Sequence, residues 1–148
     1  MLIDKLYKLS PCPIYENNLM FFGGDYNEDK LCIRISGGWA EDNDRIVVLA
    51  HEVGHAFCHK NKCKCFDIKH GMLCEFHANL FALTWLYKQH DTEALYVCIK
   101  HIISQSRKLN HSMGHARAAK CLLRTKLWKK CLDYVFGKQT QLVFDWSK

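Results

Sequence analysis

The stretch "VLAHEVGHAFCHK", residues 48–60, sets His51, His55 and His59 four residues apart, with Glu52 directly after the first. On a helix, positions i and i+4 share a face about one turn apart. The imidazoles of His51 and His55 can therefore converge on one tetrahedral ion at the roughly 2.0–2.1 Å of a zinc–nitrogen bond. Glu52 is rotated by about 100° from His51. It is poorly placed as a further ligand and well placed beside an open coordination position, the general-base role in HExxH hydrolases. Gly54 offers no side chain, so another segment or a substrate can come close. Unpartnered histidine and glutamate in so apolar a helix would be costly. The segment reads as a central metal-binding helix running from an N-cap at Asn43 or Asp44 to about residue 60.

A catalytic zinc takes three protein ligands and leaves the fourth position to water. The next largely apolar helix, 72–90, offers Glu75 and His77. Two residues apart on a helix, they cannot point the same way. Glu75, Asn79 and Leu83 share one face, so Glu75 completes a set of two histidines and one glutamate. Asn79 stands one turn on, placed to hold a ligand atom from behind. His77 falls away from that face and reads as a surface or rim histidine.

"HEVGHAFCH", with "EFHANLFA" beginning twenty residues after His55, is similar to the HExGHxxxH … ExxA(N/D)xFA pattern of ImmA/IrrE-type metallopeptidases. Those are bacterial and phage zincin-like proteases that cut helix-turn-helix repressors. The resemblance spans roughly residues 43–88. It implies His51, His55 and Glu75 as ligands of Zn2+, Glu52 as catalytic base, and a protein substrate of the repressor type. Where relatives continue with a proline-containing tail, this sequence has "LTWLYK", so the substrate cleft is expected to differ.

The 148 residues are expected to form one domain over 1–148, long enough to bury a core unaided. No apolar run approaches the roughly 20 residues of a membrane span. The charged N-terminus "MLIDKLYKLSPCP" lacks a secretory h-region, and an odd count of nine cysteines suits a reducing compartment. The expectation is a cytoplasmic protein without membrane association. The net charge of +6 permits an acidic partner. However, the basic set Arg117, Lys120, Arg124, Lys126, Lys129 and Lys130 lacks interleaved aromatics and reads as a solvated face, not a nucleic-acid reader.

Outward from the motif, residues 1–9 read as a helix stopped by "SPCP". Residues 18–24 and 30–38 read as two short strands closed by Gly-Gly pairs, the second alternating Leu31, Ile33 and Ile35 against polar positions. Helices follow at 92–109, capped by Thr92, and at 112–136, ended by Gly137. The tail 140–146 reads as a short strand or a docked extension. The expected fold is α+β, a helix-rich zincin-like domain with a small N-terminal antiparallel sheet and an exposed edge strand such as 30–36 beside the groove.

His59 continues the stripe but lies a full turn beyond the metal, and its spacing is not that of metzincins. Cys58, Cys63, Cys65 and Cys74, with His70 nearby, could form a four-thiolate cluster. No CxxC pair supports it, and inert thiols are the default. His111 and His115 read first as the polar start of a capped helix. The functional alternative places one of them at the cleft, and His115 is assigned as the donor to a developing oxyanion, with Tyr26 as rival. The reading is a zinc-dependent endopeptidase. The alternatives are a zinc-binding regulatory protein of mobile-element origin without proteolysis, and a hydrolase of a non-peptide amide with a narrow, deep cleft.

Overall fold

In the computed structural model, residues 1–17, 23–39, 41–63, 72–108 and 113–137 are described. Helix α1 (Leu2–Leu9) stops where the sequence predicts, because Ser10 precedes a proline and is pushed to extended backbone (φ −56°, ψ 131°). Three strands follow: β1 (Ile14–Asn17), β2 (Gly24–Asn27) and β3 (Cys32–Ser36), in the spatial order β1-β3-β2.

The sheet is mixed, which corrects the antiparallel expectation. β2 and β3 form an antiparallel pair, with Gly24 opposite Ile35 and Tyr26 opposite Ile33. That pair uses one edge of β3. The other edge is filled by "IYEN", which arrives from α1 running the same way, so Ile14 pairs with Ile33 in parallel. Residues 18–22 of the expected first strand lie outside the described residues; its last residue, Gly24, opens β2. β3 is therefore the central strand, not an edge. Cys32, Ile33, Ile35 and Ser36 are buried, as befits a strand covered on both sides. Leu31 takes φ 49° and is exposed in the turn, so it leaves the expected apolar row.

Helix α2 (Asp42–Lys60) starts earlier than expected, with Glu41 as N-cap and Asp42 and Asp44 in its first turn, where negative charge suits the dipole. Asp44 is not the cap because its carboxylate holds His101 Nε2 at 2.7 Å. Helix α3 (Met72–Lys88) is followed by α4 (Thr92–Ser106), whose cap is Asp91, not Thr92: the Asp91 carboxylate accepts from the Ala94 N–H at 2.9 Å. The expected helix 112–136 is two, α5 (Met113–Leu122) and α6 (Lys126–Phe136). Thr125 makes the break. Its hydroxyl donates to the Leu122 carbonyl at 2.8 Å and accepts from the Trp128 N–H at 3.2 Å, closing one helix and capping the next. Gly137, at φ 81°, ends α6. The tail 140–146 lies outside the described residues, and no helix among those described is long and apolar enough to cross a membrane.

The core forms around α2, which buries Leu49, Ala50, Val53 and Ala56. A Cβ at Gly54 would lie 2.9 Å from Ala78 Cα and 3.0 Å from both the Ala78 carbonyl oxygen and Phe81 Cβ. The space left open at Gly54 is filled by the backbone of α3. Helix α5 seats on α3 and α4 through the buried Ala116, Ala118 and Ala119. Gly54→Ala is expected to lower stability by about 1–3 kcal/mol, the usual cost of overpacking. The measurement is the urea midpoint at unchanged slope; a midpoint at or above the parental one would mean that the two helices have room to spare.

Candidate metal centre

The periodicity of α2 sends His51 and His55 from one face toward Glu75 on α3. His51 Nε2 and His55 Nε2 are 3.0 Å apart. Glu75 Oε2 lies 3.1 Å from His51 Nε2, and Glu75 Oε1 lies 3.4 Å from His55 Nε2. Ligands at roughly 2.0–2.1 Å on a tetrahedral ion stand about 3.3 Å from one another. The three edges match such a shell, and the donor set, two imidazoles and a carboxylate, suits a divalent transition-metal ion.

The outer nitrogens are held from behind. His51 Nδ1 donates to Asn79 Oδ1 at 2.8 Å, an atom that only accepts, so the Nε2 lone pair can turn inward when that nitrogen is unprotonated. Asn79 Nδ2 in turn donates to Gln105 Oε1 at 3.5 Å. His55 Nδ1 meets the buried Cys74 sulfur at 3.1 Å. Cys74 thus supports His55, and among the described residues it is not part of the ligand group of Cys58, Cys63 and His77; Cys65 and His70 of the four-thiolate alternative lie outside the described residues. Sequence reasoning missed this partnership, although the position of Cys74, directly before Glu75 and one turn before Ala78, was a signal for it.

Charge is concentrated on Glu75. Its Oε2 is buried with no aligned donor, although the rings of His51 and His115 approach to 3.1 Å. A shared cation would satisfy that oxygen. Burial alone would raise the Glu75 carboxyl, but the His115, His51 and His55 rings override it and hold it well below the usual carboxylate range. Burial pushes the His51 imidazole down, yet Glu75 and Glu52 prevail and raise it. Glu52, buried, is raised chiefly by desolvation despite the neighbouring His51 and His55.

Glu52, Glu75, His51, His55 and His115 share a cavity of about 240 Å³ with Gly24, Asp25 and Tyr26 of β2. Gly24 lets this strand come close: a Cβ there would meet Val48 Cγ1 at 3.0 Å and Glu52 Cγ at 3.3 Å. The strand beside the cavity is β2, not 30–36. His115, half-buried in the first turn of α5, stands with Nε2 3.1 Å from Glu75 Oε2. His111 lies outside the described residues. Tyr26, pushed up to about 12 by burial, has its hydroxyl 2.7 Å from His59 Nδ1, which gives His59 a partner away from the ligand atoms. His77 is not a simple rim histidine: its Nδ1 faces the sulfurs of Cys58 and Cys63 at 3.4 and 3.5 Å. The six basic residues of α5, α6 and the turn between them are exposed, as expected.

The model of peptidase family M78, described as the IrrE N-terminal-like domain, matches residues 12–111. That span contains β1 to α4 and ends before His115. No curated protein and no solved structure matches the chain.

A cation at Nε2 of His51 competes with a proton, and despite burial Glu75 and Glu52 favour the protonated ring. Metal affinity is therefore expected to fall as pH drops, beginning above the ordinary histidine value of about 6.5. Asn79→Ala, which frees the His51 ring, is expected to weaken binding about 10- to 100-fold. Competition with a chromophoric chelator across pH 5.5–8 measures both; a flat profile would remove the proton from the account.

Proposed function

This chain belongs to the family of IrrE N-terminal-like peptidases, and we propose that it is a zinc-dependent endopeptidase acting on a regulatory protein of the DNA-binding repressor type. The observation that carries the reading is Glu52, a buried carboxylate facing the cavity that His51, His55 and Glu75 also line. A site that only stabilised the fold would have no use for a base there, since burying such a group is costly.

His51, His55 and Glu75 would hold the zinc, with Asn79 and Cys74 fixing the two imidazoles. When bound, the ion would supply Lewis acidity toward a water and the scissile carbonyl. Glu52 takes the proton of the attacking water at its carboxylate and delivers it to the leaving amine. His115 is assigned as donor to the oxyanion that develops on the substrate carbonyl. Its ring reaches the ligand cluster, whereas the hydroxyl of its rival, Tyr26, is turned toward His59. Among the described residues β2 pairs only with β3, so an extended substrate segment can lie along its outer edge. The repressor class rests on the family resemblance, and a cytoplasmic setting on the odd cysteine count.

Glu52→Gln keeps shape and is expected to retain zinc while hydrolysis of a susceptible repressor falls by orders of magnitude. His115→Ala is expected to retain zinc and folding and lose on the order of a hundredfold in turnover, with little change in KM. Elemental analysis and cleavage of repressors from the same genome check both. Parental turnover in Glu52→Gln would remove Glu52 as base. Zinc retained with no cleavage of any candidate by the parent would favour a binding protein.

A further inference from the structure

The end of α2 carries a second group of soft ligands. Past the cap at Asn61, Lys62 takes φ 52°, its N–H donates to the His59 carbonyl at 2.9 Å, and the Cys63 N–H donates to the Cys58 carbonyl at 2.9 Å. That pair of bonds is the Schellman arrangement, which turns the chain back and brings the side chains at its two ends together, usually as an apolar contact. Here both ends are cysteines. The four residues between Cys58 and Cys63 are the length of the cap, which replaces the shorter spacing of an ordinary thiolate pair.

Into this pair points His77 of α3, two residues after Glu75 and facing away from it. Its Nδ1 is 3.4 Å from Cys58 Sγ and 3.5 Å from Cys63 Sγ, and all three ligand atoms lie within 4.8 Å of one another. With zinc–sulfur bonds of about 2.3 Å and zinc–nitrogen bonds of roughly 2.0–2.1 Å, a tetrahedral ion sets sulfur and nitrogen about 3.6 Å apart. The observed distances are close to that edge. The three residues are half-buried, reachable by an ion yet partly removed from water.

We propose that Cys58, Cys63 and His77 form a second zinc site, separate from His51, His55 and Glu75. Two thiolates and an imidazole favour zinc over hard cations. The two thiolate charges balance the ion, and binding releases the thiol protons to solvent. The ion would clamp the last turn of α2 to the α3 helix, the two elements that carry the first centre. The site shares no residue with that centre and stands whether or not the chain is a peptidase.

The test is titration of the whole chain, stripped of metal and kept with a non-thiol reductant, first with Zn2+ and then with Co2+. About two ions per chain are expected, falling to about one in Cys63→Ser. Cobalt separates the sites, because only this one has thiolates. An intense near-ultraviolet thiolate-to-cobalt band is expected in the parent and in His51→Ala, and is expected to vanish in Cys58→Ser/Cys63→Ser. Circular dichroism shows which variants fold, and the parental titration stands without them. Saturation of the parent at one ion without the thiolate band, any parental cobalt complex that lacks that band, a band that survives loss of both cysteines, or a Cys58–Cys63 disulfide under these conditions would each overturn the proposal.

Discussion

The backbones of α2 and α3 touch at Gly54 and Ala78, and the first centre depends on that contact. Gly54 directly precedes His55, while Ala78 lies between Glu75 and Asn79. Fixing the two backbones at this point fixes the register of two ligands and one supporting amide at once. A side chain at position 54 would push the helices apart where ligand atoms must meet within a few tenths of an ångström. Gly24 repeats the device on the other flank, where strand β2 closes on Glu52. Close approach without side chains is how this small core brings three elements around one cavity.

Around that contact, polar groups are handled in two ways. The outer atoms are satisfied: the chain His51–Asn79–Gln105 carries hydrogen bonds from α2 through α3 to α4, and Asp44 with His101 also ties α2 to α4. The inner atoms are left for something else. Two imidazole nitrogens 3.0 Å apart stand beside a buried carboxylate oxygen that has no aligned donor. Buried polar groups of this kind persist where a ligand resolves them. The support comes from packing and the reactive geometry from what packing leaves unsatisfied.

Much of this was legible in the sequence, and the rest was hidden for physical reasons. His51, His55 and Glu75 follow from a 3.6-residue period, because a helix places side chains by arithmetic. The helix ends were harder. Asp91 caps α4 in place of Thr92 through its carboxylate, while α2 begins after Glu41, ahead of Asn43 and Asp44, with no side-chain cap bond. Thr125 broke what reads as one continuous helix, through hydrogen bonds that leave no mark on apolar periodicity. The partner of β1 could not be read at all: whether "IYEN" joins β3 depends on which edge the β2 pairing leaves open. Cys74 and His77 were visible as residue types, but their partners lie on another helix.

The turn at Lys62 bears on how such sequences drift. A lysine held in the left-handed region costs on the order of 1 kcal/mol relative to ordinary backbone. Glycine would remove that strain, but it would also widen the unfolded ensemble by roughly 0.4–1 kcal/mol, so the two effects nearly cancel. Selection on stability alone is then almost blind to the exchange. The residue that usually announces a helix end is free to disappear while the hydrogen bonds that make the end persist, as they do between Cys58 and Cys63. Two descendants of one ancestor could share this turn, atom for atom, and carry no common letter at its tightest point.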